Sequence, residues 1–252
     1  MEPKAILWNV GEDLTVGSPI DVYVDFDGTI APGEPTDRLF ERFADASWRS
    51  IDQAWLEGRL TSWQATAQNV SLLRATPEEI AAFLRHIPID PDFPAFVALC
   101  RRAGACVTVV SDGLDLVLGT VLGAAGIDLP CVANQLVWQG GERWAARFPH
   151  RRPDCKFQMG NCKCAHRRRP VTAINVMVGD GRSDFCIAER CQLVIAKKSL
   201  LRRCREQQIP HMAMTSFGDA NPRFARWLAQ QTRQIAPAPV DLRQSEMPEA
   251  VV

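Results

Sequence analysis

The stretch Ile20-Asp21-Val22-Tyr23-Val24-Asp25-Phe26-Asp27-Gly28-Thr29-Ile30 constrains the fold more than any other part of the chain. Its β-branched and aromatic run follows Pro19 and stops at the punctuation of Gly28, Pro32 and Gly33, so it reads as a buried strand that ends in a turn. Residues two apart in an extended chain share a face. Asp25 and Asp27 therefore stand on one side at the strand's end. Two carboxylates so placed repel unless a cation or a shared proton offsets them. The pair suits a divalent metal with oxygen ligands, and it suits a carboxylate nucleophile. A bare Asp-x-Asp also reads as an exposed acidic turn, because Asp and Gly are common turn formers. The hydrophobic strand before it and matching pieces downstream favour a site.

After this strand the pattern becomes helical. Apolar positions recur at helical spacing through Asp37–Phe43 and Ile51–Leu56, Gly58 ends one helix, and Thr61 is a plausible cap for the next, through Leu73. Thr76-Pro77-Glu78-Glu79 is a good helix start, with Pro at the first position and Glu at the third. So much helix between the first and second strands exceeds what a connection needs and reads as an inserted cap over the strand tips. Phe93 to Gly104 reads as a crossover helix. Strand two is Ala105–Val110 with the tip Ser111-Asp112-Gly113, and Leu114 to Ala125 is a helix. Cys131–Trp138 and Arg143–Phe148 around Gly140-Gly141 read as a hairpin or a strand plus flap. Strand three is Val171–Val178 with the tip Gly179-Asp180-Gly181-Arg182-Ser183-Asp184. A short helix from Phe185, a strand at Leu193–Ala196, a helix capped by Ser199, an edge strand at Met212–Met214 and a closing helix from Phe217 to Gln234 complete the pattern.

Alternating strands and helices imply an α/β fold: a doubly wound, mostly parallel Rossmann-like sheet with an inserted helical cap. The expected division is a core of residues 1–35 and 88–235, a cap of 36–87 and a disordered tail of 236–252, where Pro237, Pro239 and Pro248 fall. In such sheets ligands bind beyond the carboxyl ends of the strands. Three tips there carry polar groups: Asp25/Asp27, Ser111 and Asp180/Asp184.

Composition narrows the classes. The 252 residues are 46% hydrophobic and 23% charged, ordinary for a soluble globular protein, and the formal net charge is zero, so nothing global argues for nucleic acid. There is no stretch of about 18 apolar residues, hence no expected membrane span. Nine cysteines, an odd number in a chain this long, with no leader-like N-terminus, fit a reducing cytoplasm.

Four motifs in order carry a resemblance: Asp25-Phe26-Asp27-Gly28-Thr29, Val109-Val110-Ser111-Asp112-Gly113, Gly160-Asn161-Cys162-Lys163 and Val178-Gly179-Asp180-Gly181-Arg182-Ser183-Asp184. Over roughly residues 20 to 230 the chain resembles the haloacid dehalogenase superfamily of aspartate-nucleophile phosphatases, in the branch with a helical cap after the first motif. The resemblance implies a Mg²⁺-dependent phosphatase of a small phosphorylated metabolite that works through an aspartyl-phosphate. It implies Asp25 as nucleophile and Asp27 as the acid and base. Asp25, Asp27, Asp180 and Asp184 would serve the metal, Asp27 through its main-chain carbonyl and Asp184 either as a ligand or by supporting one. Ser111, Asp112, Gly113 and Thr29 would bind the phosphoryl group, and Lys163 would bridge nucleophile and phosphate. Lys156, seven positions earlier, is the alternative lysine. Phosphotransfer to an alcohol from the same intermediate, and a non-catalytic phospho-ligand-binding module, are the competing functions. The sequence sets no oligomeric state.

The substrate side departs from the phosphoserine phosphatase pattern. Glu34 occupies the place of the glutamate that holds an ammonium there, but Asn69 stands where a carboxylate-binding arginine is expected, and Asp112-Gly113 replaces Gly-Gly. Losing a bidentate arginine removes the strongest recognition of a carboxylate. Asp-Phe-Asp-Gly-Thr with Gly-x-Cys-Lys is more similar to the methionine-salvage phosphatases of 2-hydroxy-3-keto-5-methylthiopentenyl phosphate. Trp48, Trp55 and Trp63 of the cap either line a more apolar pocket or pack the helices together, the commoner fate of such residues. Cys155, Cys162, Cys164 and His166 have thiolate and imidazole donors suited to Zn²⁺. They lack the usual C-x2-C pair, so free thiols are the expectation over a structural metal. Arg151, Arg152 and Arg167–Arg169 read as a solvated basic face, with steering of an anionic substrate as the functional alternative.

Overall fold

The computed structural model describes residues 20–167 and 173–235. Seven strands form one sheet in the order β4-β3-β2-β1-β5-β6-β7. They are β1 (Ile20–Val24), β2 (Cys106–Leu114), β3 (Cys131–Trp138), β4 (Trp144–Arg147), β5 (Ile174–Gly179), β6 (Leu193–Ala196) and β7 (His211–Ala213). All neighbours pair in parallel except the β3–β4 hairpin. The first described strand is central, between β2 and β5, and the chain leaves β1 toward β2 on one side and β5 toward β6 on the other. That divergence opens a crevice above the end of β1, where ligands of open α/β sheets bind.

Helices cover both faces, as the continuous apolar strands require. Ile20, Val22 and Val24 of β1 join a core with Phe93, Phe96, Phe217 and Phe224. Those four rings come from α5 (Phe93–Arg102) and α9 (Phe217–Ile235). Tyr23, pointing the other way, packs with Ile187 of α7 (Phe185–Ala188) and Leu200 and Cys204 of α8 (Lys198–Glu206).

Between β1 and β2 the chain makes four further helices: α1 (Pro35–Phe43), α2 (Trp48–Leu56), α3 (Ser62–Ser71) and α4 (Pro77–Leu84). Thr61 and Thr76 each close a capping box, with Gln64 and Glu79, which satisfies otherwise unpaired N–H groups at the starts of α3 and α4. The insertion docks on the hairpin: the buried Trp144 indole N–H donates to the Ala75 carbonyl at 2.8 Å, and Trp63 meets Phe148 edge-on.

Several boundaries differ from expectation. β2 runs on through Ser111-Asp112-Gly113 to Leu114, with a register shift against β3 between Val110 and Leu114. The motif expected at a strand tip is thus an irregular stretch of the strand. α6 begins one residue later, at Asp115, and ends at Ala124. α8 begins at Lys198 without a side-chain cap, because the Ser199 hydroxyl donates instead to the Asp180 carbonyl. β7 is His211–Ala213. Val171 and Thr172, and the expected tail of 236–252, lie outside the described residues.

Candidate active site

β1 and β5 bring their carboxylates together because they are adjacent and in register. The Asp25 N–H donates to the Val178 carbonyl, which places Asp25 beside the turn that carries Asp180 and Asp184. Carboxylate oxygens of Asp25, Asp180 and Asp184 lie within 4.8 Å of one another, and all three residues are buried. Asp184 is aimed by its own turn, since its Oδ2 accepts the N–H groups of Asp180 and Gly181 at 3.1 and 3.0 Å.

Lys163 is the cation of this floor. It is 0% exposed, and its Nζ donates to Asp25 Oδ1 and Asp184 Oδ1, each at 2.5 Å. Lys156 is exposed and reaches Glu189 at 3.5 Å, so the geometry selects between the two lysines. Burial alone would lower the Lys163 ammonium's pKa, but the charges of Asp184 and Asp25 overcome it and hold the group protonated. Lys163 serves Asp25 and Asp184, while Asp180 is met from the cavity side by the exposed Lys198 at 2.7 Å, so three carboxylates crowd a single buried ammonium. Asp25 is accordingly raised well above the usual carboxylate range, first by burial and then by repulsion from Asp184, against the pull of Lys163.

Asp27 is held differently. Its Oδ1 accepts the Thr36 N–H at 2.9 Å, and its Oδ2 accepts the Ser111 hydroxyl at 3.3 Å. Burial raises its carboxyl to about 6, against the Thr36 bond. Asp27 does not belong to the Asp25–Asp180–Asp184 group. Gly113 lies against it: a Cβ there would run into Asp27 Oδ2, Thr36 Oγ1 and Ser111 Oγ. Gly28 has φ +69°, and a Cβ would meet Asp180 and Glu34. Both glycines let the backbone approach charged groups that a side chain would displace.

The second and third motifs are tied to each other and to the insertion. Asp112 borders the cavity, and its carboxylate is engaged by the protein. It accepts from Ser62 Oγ of α3, from the Asn161 N–H at 2.6 Å and from Asn134 Nδ2 at 3.3 Å. The Asn161 amide donates to the Ser111 and Val132 carbonyls, at 2.8 and 3.0 Å. His166 is taken up by Asn161 Oδ1 at 2.6 Å. Thr29 is buried with its hydroxyl unpartnered among the described residues and lies off the cavity lining, so it is not brought to the phosphoryl position.

A cavity of about 400 Å³ opens above this floor. Its lining includes Asp25, Asp27, Ser111 and Asp180 below, and Phe40, Trp55, Leu56 and Asn69 from α1, α2 and α3 above. Asn69 is buried, with its Oδ1 unpartnered among the described residues. Of the three tryptophans, Trp55 lines the cavity. Trp48 is packed beside Phe40, and Trp63 lies under the Arg151 guanidinium. The rim carries Glu34, Asp37 and Asp52.

Two features escaped the sequence. Lys198 bridges Asp180 Oδ2 at 2.7 Å and Glu34 Oε1 at 3.0 Å; its place just past β6, the next strand over, was the available signal. Cys186 joins Cys162 and Cys164 in a group of three sulfurs within 4.8 Å. Cys155 and His166 stay outside that group. Arg152 pairs with Asp154 and Arg167 donates to the Arg190 carbonyl, whereas Arg168 and Arg169 lie outside the described residues.

A family model described as haloacid dehalogenase-like hydrolase matches residues 22–189. The chain is similar to the 2-hydroxy-3-keto-5-methylthiopentenyl-1-phosphate phosphatase of Brevibacillus brevis, 28% identical with 79% of this chain and 91% of that one covered. It is also similar to the protein of the same name from Geobacillus thermodenitrificans, at 26% identity over 79% and 92% of the two chains. Among solved structures, a phospho-aspartyl intermediate analogue of phosphoserine phosphatase superposes with a TM-score of 0.58 at 20% identity, covering 82% of this chain and 99% of that one. Phosphoserine phosphatase from T. onnurineus gives 0.62 at 15% identity, over 83% and 94%. At those identities the likeness is one of fold. No helix among the described residues is long and apolar enough to cross a membrane.

Proposed function

The chain belongs to the haloacid dehalogenase-like hydrolase family, and from that premise we propose that it hydrolyses a small phosphate monoester by Mg²⁺-dependent transfer of the phosphoryl group to Asp25 and then to water. The observation that carries this reading is the convergence on one floor of Asp25, Asp180, Asp184 and the buried Lys163. The division into a core and a cap of residues 36–87 is part of the same proposal.

A phosphate monoester resists attack because its oxygens are negative, so catalysis has to cancel charge and fix in-line geometry. The donor set fits Mg²⁺: three buried carboxylates are hard oxygen ligands, and their mutual repulsion is what raises Asp25 beyond the effect of burial. Bound there by Asp25, Asp180 and Asp184, the ion would neutralise phosphoryl charge. Lys163 pulls the Asp25 carboxyl back toward its ionised form, as the bound cation would, and adds a second positive charge. A carboxylate oxygen of Asp25 bonds to phosphorus as the ester P–O bond breaks, and protonated Asp27 gives its proton to the departing oxygen. Asp27, now a carboxylate, takes a proton from the water that attacks the aspartyl-phosphate; phosphate leaves and Asp25 is regenerated. A carboxyl raised to about 6 is poised for both directions near neutrality. Ser111 and main-chain N–H groups of its segment would bind phosphoryl oxygens, while the Asp112 carboxylate serves to join α3 to the floor.

The wall above favours a leaving group without a carboxylate. Glu34, Asp37 and Asp52 outnumber the lining's Lys198 and Arg182, of which Lys198 is already paired with Glu34 and Asp180, and Phe40, Trp55 and Leu56 offer apolar contact. The substrate named for the bacterial relatives bears hydroxyl, keto and methylthio groups and no carboxylate, so we favour that class over phosphoserine. Phosphate release from an aryl phosphate, from phosphoserine and from the methylthio enol phosphate, with Mg²⁺ and with a chelator, tests both levels. Metal-dependent release that is fastest with the enol phosphate is expected. Release unaffected by the chelator removes the mechanism, and preference for phosphoserine removes the substrate class.

A further inference from the structure

We propose that Cys162, Cys164 and Cys186 form a second metal site, for a thiophilic divalent cation with Zn²⁺ as the fitting ion, behind the phosphoryl site and chemically distinct from it. The three Sγ atoms lie within 4.8 Å of one another, and Cys162 and Cys164 are 3.1 Å apart. With Zn–S bonds near 2.3 Å, sulfurs of a tetrahedral site lie about 3.8 Å apart. The 3.1 Å pair has to open by about 1 Å or less and the third sulfur lies within 4.8 Å, so side-chain adjustment closes the site.

The surroundings fit a soft cation and not a hard one. Cys162 and Cys186 are buried in a small cluster with Met159 and Cys155, where sulfur is the prevailing donor. Cys164 is half-buried, which gives an ion its entry and leaves the fourth position to water. Three thiolates and a divalent cation leave one net negative charge, and the guanidinium groups of Arg190 and Arg152 act on Cys164 from outside. A monovalent cation would leave two.

The placement gives the site a consequence. Cys162 and Cys164 flank Lys163 on a single turn of 3-10 helix, Lys163–His166, and Cys186 follows Asp184 by two residues in the four-residue α7. Neither segment is long enough to be stable alone. An ion held by all three sulfurs would cross-link the segment that carries Lys163 to the one that carries Asp184, and so fix the Lys163–Asp184 pair from behind. The thiols release protons on binding.

The test uses the full chain, purified reduced and without a metal-binding tag. Its zinc content is measured by elemental mass spectrometry. Chelator-treated protein is then titrated with Co²⁺ while thiolate-to-cobalt charge-transfer absorption is followed. Co²⁺ at the carboxylates gives no such band, so the result is independent of the phosphatase reading. Expected are one zinc per chain, a band that saturates at one equivalent, its loss in both C164S and C186S, and its retention in C155S. Zinc-free reduced protein with no charge-transfer band overturns the proposal, and this needs no variant to fold. Equal loss in C155S and C164S overturns the ligand assignment. A Cys162–Cys164 disulfide in the intact mass of the reduced preparation replaces the metal site with a redox pair.

Discussion

The molecule carries two groups of carboxylates a short way apart, and they are managed in opposite ways. On the floor, Asp25, Asp180 and Asp184 are buried and crowd a buried ammonium. On the rim, Glu34, Asp37 and Asp52 lie at the more exposed side of the cavity, and the exposed Lys198 links Glu34 to Asp180 of the floor. Burial strengthens every charge on the floor, so each group there is either paired or strongly perturbed. Solvent screens the rim, where the same charge costs little. In an enzyme that is a haloacid dehalogenase-like phosphatase, the proposed chemistry falls to the floor and the proposed selection to the wall.

Substitutions that break this contrast should differ in size and kind. The largest effect on rate is expected of Asp25→Asn, which removes the proposed nucleophile: phosphate release should fall on the order of 10⁴-fold or more with folding intact, measured by single-turnover release. Lys163→Met should abolish turnover and also leave Asp25 and Asp184 buried without their cation. A loss of about 3–5 kcal/mol of stability is expected in denaturant unfolding; an unchanged midpoint would mean the floor is more open to water than its burial implies. Gly113→Ala forces a Cβ against Asp27, Thr36 and Ser111. Misplacing those groups by a fraction of an ångström or more should lower kcat about 10²-fold and leave the unfolding midpoint nearly in place. Ser62→Ala cuts the bond from α3 to Asp112 and should raise KM several-fold more than it lowers kcat.

The smallest effect belongs to the rim. The Asp37 carboxyl reaches solvent, yet protein crowded around it, and then the charges of Asp52 and Glu34, raise it from 3.8 to about 7. Its folded value lies above its unfolded one, so between those values the folded chain holds the proton more tightly. Stability from this group is fully present at low pH and is lost as pH rises through about 7. Asp37→Asn should flatten that decline and raise the melting temperature slightly at pH 8, with no gain at pH 4. A uniform gain would assign the effect to packing.

The floor was legible in the sequence and much of the wall was not. Strand alternation set Asp25 and Asp27 on one side, and the order of four motifs fixed which tips would meet. Yet Asp27 went to the Thr36 N–H and Ser111 while Asp25 joined Asp180 and Asp184. Strand period gives a side-chain direction but not how the backbone turns after the last ladder bond. Asp112 read as a phosphoryl ligand from its motif. Its carboxylate was claimed by Ser62, Asn134 and Asn161, partners distant in sequence that no local pattern announces. Lys198 and Cys186 were missed for the same reason: each acts across a crossover, on a group with which it shares no motif. Thr29, adjacent to the site in sequence, is buried and is not among the residues that line the cavity.

The buried indole N–H of Trp144 donates to the Ala75 carbonyl. The insertion is therefore moored to the hairpin at the sheet's edge as well as through its two chain crossings and the Ser62–Asp112 bond. Free lids swing about their two crossings like a door on one pair of hinges. Here an opening of the roof has to pivot about that buried bond or break it, so a tilt is the expected motion rather than a swing.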